Sequence, residues 1–125
     1  MIRILLVDDQ PAIRRGLRMR LGLEPDMHVV AEAGCGADAL LLSQMLHPDV
    51  VVMDVEMPGL DGIQTAEKMR ALSPGSAIVM LSIHDNAAIQ ARACKAGAAA
   101  FVGKHGSTDT VVAAIRRERP SQSAF

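Results

Sequence analysis

Short apolar runs alternate along the chain with longer stretches in which apolar residues recur at helical spacing. Residues 50–53 form an apolar run without alternation that ends in Asp54, a pattern that predicts a strand buried on both faces. Residues 4–7 form a second such run, which ends in Asp8 and Asp9. Over the whole chain, the pattern predicts five strands and five helices in strict alternation, which is typical of a parallel sheet with helices on both faces.

The predicted strands span residues 2–7, 27–33, 49–53, 77–81 and 98–102. The predicted helices run from Pro11 to Leu21, over 37–46 and 63–72, from an Asn86 cap to Cys94, and from a Ser107 or Thr108 cap to Arg117. Spacing indicates the core residues of the first helix (Ile13, Leu17, Leu21) and of the second (Leu40, Leu41, Met45). The expected fold class is α/β, a single-domain, doubly wound (βα)5 parallel sheet.

Length and composition exclude several classes of protein. With 125 residues, half of them apolar and 22% charged, the chain suits one domain with its own core. A membrane span needs roughly 20 consecutive apolar residues, and no apolar run in the chain approaches this length. The N-terminus also lacks a signal-peptide pattern, so we expect a cytoplasmic protein without membrane contact. A net charge of −1 gives no support for a nucleic-acid-binding surface. Cys35 and Cys94 lack metal-ligand spacing and are expected to be buried or partly buried thiols.

Polar residues stand directly after four of the predicted strands. The first strand is followed by Asp8 and Asp9, the third by Asp54, the fourth by Ser82 and the fifth by Lys104. The carboxyl ends of parallel strands lie at one edge of the sheet, where such sheets bind ligands. We therefore expect these five side chains to share one crevice.

Three carboxylates in one crevice repel, since two charges ~4 Å apart cost about 4 kcal/mol at an effective dielectric constant of about 20. They must therefore bind protons or a cation, and their oxygens suit Mg²⁺, which keeps several waters and binds phosphate oxygens. Asp54, alone on its strand, is the candidate nucleophile, because carboxylates accept phosphoryl groups. Mg²⁺, the Lys104 ammonium and the Ser82 hydroxyl would then each hold one phosphoryl oxygen.

Four sequence motifs resemble the receiver domains of response regulators in two-component signalling. They are Val-Asp-Asp-Gln-Pro at 7–11, Met-Asp-Val-Glu-Met-Pro-Gly-Leu-Asp-Gly at 53–62, Leu-Ser at 81–82, and Gly-Ala at 97–98 followed by Phe-Val-Gly-Lys at 101–104. The resemblance covers residues 1–118 and implies a flavodoxin-like fold with strand order 2-1-3-4-5. Residues 119–125 are then a linker stub or disordered tail, in keeping with their polar composition.

The resemblance also implies roles for the acidic residues. Asp54 would be the phosphoacceptor and Asp8 and Asp9 the acid pair, with Mg²⁺ bound by these carboxylates and by the backbone carbonyl of Glu56. The phosphoryl donor would be a histidine kinase or a small acyl phosphate. Such a domain is not an enzyme acting on a separate substrate, but it assists its own phosphorylation and dephosphorylation.

Three further implied roles concern the bound phosphoryl group and the conformational switch. Ser82 and Lys104 would be the switch and phosphate-pairing residues, and Phe101 the aromatic switch residue whose ring enters the space that Ser82 leaves. Such a shift would repack the surface of the fourth helix and fifth strand. Glu56 and His84 occupy variable positions beside the site, and we expect them to tune the lifetime of the aspartyl phosphate by pairing across its mouth.

Within the family, the chain resembles LuxR/NarL-type receivers in Asp-Asp-Gln-Pro at 8–11, an arginine-rich first helix and Leu-Ser-Ile-His-Asp at 81–85. Such proteins control transcription through a C-terminal helix-turn-helix DNA-binding domain, which is absent from this chain. The chain is then either truncated in its linker, as the polar tail favours, or a stand-alone receiver acting by protein contact. The arginines of the first helix indicate a solvated basic face or a partner-docking surface. A homodimer through the first and last helices, or through the fourth-helix face, fits equally well.

Three other functions match parts of the pattern. A Mg²⁺-dependent phosphohydrolase with an aspartate nucleophile typically has a second acid two residues after that nucleophile, on the first strand. Here residues 10–11, after the acids of the first strand, are Gln-Pro. Glu56 does, however, lie two residues after Asp54. A flavodoxin-like cofactor binder needs a phosphate loop, which the acids at 8–9 would repel, and an aromatic stack, for which Tyr and Trp are lacking. A degenerate receiver that only mediates contacts would not need the complete set of site residues.

Overall fold

Strands and helices alternate along the chain as the apolar pattern predicts. The computed structural model describes residues 1–84 and 86–120. The strands are β1 (Ile2–Val7), β2 (Met27–Ala33), β3 (Val50–Asp54), β4 (Ala77–Ser82) and β5 (Ala100–Gly103). The helices are α1 (Pro11–Leu21), α2 (Gly36–Leu46), α3 (Gly62–Leu72), α4 (Ala87–Ala96) and α5 (Thr108–Glu118). Of the predicted linker at 119–125, residues 121–125 lie outside the described residues.

The five strands form one parallel sheet in the order β2-β1-β3-β4-β5. The chain passes to one side of β1 for β2 and returns to its other side for β3. The connections after β1 and β3 therefore diverge and leave a crevice at the carboxyl ends of these two strands. The predicted α/β class, flavodoxin-like fold and strand order are confirmed.

Each face of the sheet carries its own apolar layer. In β3, Val50 and Val52 belong to the layer that α1 and α5 cover, whereas Val51 and Met53 belong to the layer under α2, α3 and α4. All four side chains are essentially inaccessible to solvent. A strand buried on both faces explains why its sequence is apolar without alternation. It also sets Asp54, the next residue, at the centre of the sheet's edge.

Local capping sets where several helices begin. Asp61 and Gln64 form a reciprocal capping box at the start of α3, with N–H···O distances of 2.8 and 3.1 Å. Asn86 caps α4 and Ser107 caps α5, as the sequence predicts. Among the described residues, no helix is both long and apolar enough to span a membrane.

The predicted core residues of α1 and α2 need correction. Leu41 and Met45 are 57% and 67% exposed, and Ile13 is 36% exposed. Three leucines in succession at 40–42 make α2 apolar on every side, so spacing could not identify its core face. That face carries small residues instead, because Gly36 lies so close to Thr65 that an added Cβ would approach its Oγ1 to 2.3 Å.

The cysteine prediction holds for only one of the two thiols. Both cysteines are free, and Cys35 is half-buried as expected, but Cys94 is exposed. Cys94 lies in α4 directly after Ala93, which is the fully buried residue of that turn. Adjacent positions on a helix point about 100° apart, so burial of Ala93 turns Cys94 toward solvent.

Candidate functional site

Two of the predicted site residues are the last residues of their strands rather than the first residues beyond them. Asp54 still pairs with Leu81 in the β3–β4 ladder, and Ser82 pairs with Gly103 in the β4–β5 ladder. Lys104 follows β5 directly, and its backbone N–H donates to the Ser82 carbonyl over 2.8 Å. The backbone thus holds three of the candidate residues at one edge of the sheet.

The three predicted carboxylates meet at this edge. Asp8, Asp9 and Asp54 each offer an oxygen, and these oxygens lie within 4.8 Å of one another. Asp8 and Asp54 are buried, whereas Asp9 is half-buried at the mouth of the crevice. Hard oxygen donors with an open side suit Mg²⁺, which takes few protein ligands and keeps several waters. The residues present therefore fit the metal that the sequence predicts.

Lys104 bridges the two buried carboxylates. Its Nζ lies 2.9 Å from Asp54 Oδ2 and 3.1 Å from Asp8 Oδ2. Burial lowers the pKa of Lys104, but hydrogen bonds and charge from Asp54 and Asp8 outweigh this effect and raise it above its ordinary value. The lysine therefore stays cationic and offsets part of the repulsion within the acidic cluster.

Asp54 is the residue whose acidity this environment changes most clearly. Burial and the negative charge of Asp8 raise its pKa, Lys104 and the Glu56 backbone N–H lower it, and the net result is a pKa of about 6. That N–H donates to Asp54 Oδ1 over 3.1 Å. The carboxylate is ionised at neutral pH, but its charge is poorly compensated, and a cation would relieve this imbalance.

Replacing Asp54 by asparagine should stabilise the metal-free protein, and the gain should depend on pH. The pKa of Asp54 is near 3.8 in the unfolded chain and about 6 in the folded protein. Between these two pH values the folded wild-type protein binds more protons than the unfolded chain, so it loses stability as pH rises through this window. We expect Asp54→Asn to gain about 1–2 kcal/mol above the window, after allowing for solvent screening, and to gain nothing below it. Urea unfolding followed by circular dichroism over a pH series measures this difference. A gain independent of pH would contradict the raised pKa.

Ser82 is fully buried, and its hydroxyl is hydrogen-bonded to Glu56. The hydroxyl donates to Glu56 Oε2 over 2.8 Å, and the Ile83 N–H donates to Glu56 Oε1 over 3.0 Å. The His84 backbone N–H donates to Ser82 Oγ over 2.9 Å. The Glu56 carboxylate thus joins the β3–α3 loop to the end of β4. The sequence instead predicts that Glu56 pairs with His84 across the mouth of the site. The position of Glu56 two residues after Asp54 was the available signal, but its partner depends on tertiary structure.

Phe101 lies in β5, half-buried, opposite Met80 of β4. Its ring packs against the apolar layer beneath α2, α3 and α4. The residue stands two positions before Gly103, the strand partner of Ser82. Phe101 and Ser82 therefore lie on neighbouring strands, near the same edge of the sheet.

Sequence reasoning missed the contact that Arg14 makes with this site. The sequence assigned Arg14 to a basic face of the first helix, but its Nη1 donates to the Asp8 backbone carbonyl over 2.6 Å. Its Nε donates to Glu32 Oε1 over 3.3 Å. Two other arginines of α1 also form ion pairs, Arg18 with Glu32 and Arg20 with Glu24 and Asp109.

Comparison with known proteins gives a consistent result. The family model "Response regulator receiver domain" matches residues 4–116. The chain is 36% identical to the response regulator GacA of Pseudomonas aeruginosa, over 94% of this chain and 55% of the relative. It is 40% identical to the transcriptional regulatory protein UhpA of Escherichia coli, over 92% of this chain and 57% of the relative. The chain thus spans little more than half the length of these relatives.

Solved structures agree with the sequence relatives. The signal receiver domain of the response regulator NarL from Mycobacterium tuberculosis superposes with a TM-score of 0.88 at 36% identity, covering 93% of this chain and 94% of that one. These relatives are of the NarL/LuxR type, and proteins of the family generally depend on Mg²⁺ and work with a histidine kinase. The chain therefore belongs to the response regulator receiver domains of two-component signalling, and to their NarL/LuxR type.

Proposed function

We propose that Asp54 accepts a phosphoryl group from a histidine kinase or a small acyl phosphate, with Mg²⁺ held by Asp8, Asp9, Asp54 and the Glu56 carbonyl. The observation that carries this proposal is the position of Asp54, which ends a doubly buried strand within 4.8 Å of two other carboxylates and 2.9 Å from Lys104. Repulsion within such a cluster lowers folding stability, and destabilising clusters of this kind are typical of functional sites.

Asp54 would act as the nucleophile through its ionised carboxylate. A carboxylate oxygen bonds to phosphorus, and the bond to the donor's imidazole nitrogen or acyl oxygen breaks with its electron pair leaving on the donor. When bound, Mg²⁺ supplies positive charge to one phosphoryl oxygen. Lys104, already seated between the Asp54 and Asp8 carboxylates, pairs with another, so this chain's own residues assist its phosphorylation and dephosphorylation.

Ser82 would complete the site only after a rearrangement. Its hydroxyl is bound to Glu56, so this hydrogen bond must break before Ser82 can reach the phosphoryl group. Movement of Ser82 opens space that the Phe101 ring can enter, which repacks the surface of α4 and β5. The competition between Glu56 and the phosphoryl group for Ser82 is how Glu56, with His84 beside it, would tune the phosphorylated lifetime.

The relatives support a proposal for the output of the switch. We propose that the domain acts in the cytoplasm and controls transcription through a C-terminal helix-turn-helix domain, with residues 1–118 as the receiver and 119–125 as the linker. Action as a stand-alone receiver through protein contact is the alternative. A homodimer could use the α1–α5 face or the α4 face.

A phosphohydrolase is less well supported. Glu56 is the one acid two residues after the candidate nucleophile. Its carboxylate accepts hydrogen bonds from the Ser82 hydroxyl and the Ile83 N–H, so it is engaged in joining two loops rather than free to protonate a leaving group.

Incubation with Mg²⁺ and acetyl phosphate tests the proposal. Intact mass should rise by one phosphoryl group in wild type and stay unchanged in Asp54→Asn, whereas Asp38→Asn, an exposed carboxylate on α2, should behave as wild type. Nuclear magnetic resonance spectra of the wild-type protein with beryllofluoride should show a shift of the Phe101 ring resonances. Phosphorylation of Asp54→Asn, or no phosphorylation of any variant even with a kinase, would refute the proposed acceptor.

A further inference from the structure

The contact between Arg14 and the acidic cluster is made through the backbone, not through a carboxylate. Arg14 Nη1 donates to the Asp8 carbonyl oxygen over 2.6 Å, and Nε donates to Glu32 Oε1 over 3.3 Å. The Arg14 side chain is only 20% exposed. A guanidinium is planar and offers donors in a fixed fork, so two contacts hold it in one orientation.

The Asp8 carbonyl is the group that sets the direction of the chain into Asp9. The peptide between Asp8 and Asp9 is planar, so fixing its carbonyl also fixes where the Asp9 Cα lies. The other polar groups of Asp8 are already held: its N–H donates to the Ala33 carbonyl over 3.1 Å, and its Oδ1 accepts from the Gln10 N–H over 2.9 Å. Arg14 thereby holds the Asp8 carbonyl, and with it the orientation of the peptide that leads into Asp9.

Asp9 depends on this support more than the other two carboxylates. Asp8 and Asp54 are buried and bound by Lys104. Asp9 is half-buried, and its carboxylate has no ion-pair partner among residues 1–84 and 86–120. Its position therefore follows from the backbone that carries it.

We propose that Arg14, seated on Glu32, is a positioning residue for the metal-binding acid pair, and this inference rests on the Mg²⁺ site of the proposed function. Arg14 acts by orienting Asp9 before the metal binds. Groups that orient metal ligands from behind typically contribute about 10- to 100-fold in metal affinity. Glu32 offsets only part of the positive charge of Arg14, because the same carboxylate also pairs with Arg18.

A purely electrostatic role for Arg14 would have the opposite sign. A guanidinium near a divalent cation repels it, so removal of the positive charge would strengthen Mg²⁺ binding. Loss of orientation weakens binding instead. The direction of the change therefore separates the two roles without reference to its size.

Arg14→Gln tests the proposal, with Arg18→Gln as its matched control. Arg18 lies one turn further along α1, pairs with the same Glu32, and is 50% exposed, but among the described residues its hydrogen bond goes to Glu32 and not to Asp8. Mg²⁺ is titrated into the metal-free protein, and the amide resonances of Asp9 and Gln10 report binding. We expect about tenfold weaker affinity in Arg14→Gln and near-wild-type affinity in Arg18→Gln.

Two further variants keep the test decisive. Arg14→Lys retains the charge but not the planar fork, so we expect it to bind Mg²⁺ weakly as well. Glu32→Gln leaves Arg14 in place without its charged partner, and it should weaken binding even if Arg14→Gln fails to fold. With acetyl phosphate, the variants should need more Mg²⁺ but approach the wild-type rate at saturation, which a general structural defect would not produce.

Unchanged or tighter Mg²⁺ binding in the Arg14 and Glu32 variants would overturn the positioning role, as would equal weakening in Arg18→Gln. These outcomes leave the proposed function intact. Failure of the wild-type protein to bind Mg²⁺ would instead refute the metal site itself, so the two failures are distinguishable.

Discussion

Gly62→Ala should be the most damaging single-methyl change in the chain. A Cβ at this position would lie 2.2 Å from the Asp54 carbonyl oxygen and 2.9 Å from the Val55 Cα. Both are backbone atoms, and the Gly62 N–H also donates to the Val55 carbonyl over 2.9 Å, so the contact cannot be relieved by a side-chain rotation. We expect the free energy of unfolding to fall by about 3 kcal/mol or more, with much slower phosphorylation because the backbone of Asp54, the proposed phosphoacceptor, is displaced.

Gly16→Ala provides the matched control. The substitution is the same, but a Cβ at Gly16 would meet nothing within 4 Å, and the position lies in the middle of α1. We expect a gain of about 0.5–1 kcal/mol, because alanine restricts the unfolded chain more than glycine does. Urea denaturation followed by circular dichroism compares the two variants. Equal effects of the two substitutions would contradict the close packing of α3 against the end of β3.

Lys104→Met should produce the second large effect. The substitution removes the cation that lies 2.9 Å from Asp54 and 3.1 Å from Asp8, while retaining an unbranched side chain. The pKa of Asp54 should then rise above about 6, since the two factors that Lys104 contributes both lower it. On the proposed function, the phosphoryl group would also lose one of its charge partners, and loss of one such group typically slows reactions about 100-fold.

The rate of reaction with acetyl phosphate, followed by intact mass over a pH series at saturating Mg²⁺, measures both effects. In Lys104→Met, we expect a slower maximum rate and a rate profile displaced to higher pH, because the carboxylate must be ionised to react. Lys68→Met, at an exposed position on α3, should match wild type. A wild-type rate and profile in Lys104→Met would show that Lys104 neither stabilises the ionised carboxylate nor contacts the phosphoryl group.

The sequence was sufficient to predict the sheet and the residues at its edge. Asp54, Ser82 and Lys104 follow apolar runs, and the carboxyl ends of parallel strands must lie together, so the shared edge follows from the pattern, whereas the strand order came from the resemblance to receiver domains. The exact strand ends differ by a residue because Asp54 and Ser82 still belong to the ladder, a distinction that side-chain chemistry does not reveal.

Side-chain contacts that depend on how the elements pack could not be predicted in the same way. The Glu56 carboxylate reaches Ser82, and the Arg14 guanidinium reaches the Asp8 carbonyl, only because α1 and the β3–α3 loop are placed by the packed core. The exposed Leu41 has a different cause, since a helix that is apolar on every side carries no periodic signal for its buried face. Pattern therefore predicts elements well, whereas partner choice depends on tertiary structure.

Chemical trapping of the phosphorylated residue tests the central claim most directly. Borohydride reduces an aspartyl phosphate to homoserine, and peptide mass spectrometry then identifies the position that was modified. After treatment with Mg²⁺ and acetyl phosphate, we expect homoserine at position 54 alone, and none when acetyl phosphate is omitted. Homoserine at Asp8 or Asp9, or its absence from position 54 in protein that has gained a phosphoryl group, would contradict the assignment of Asp54 as the phosphoacceptor.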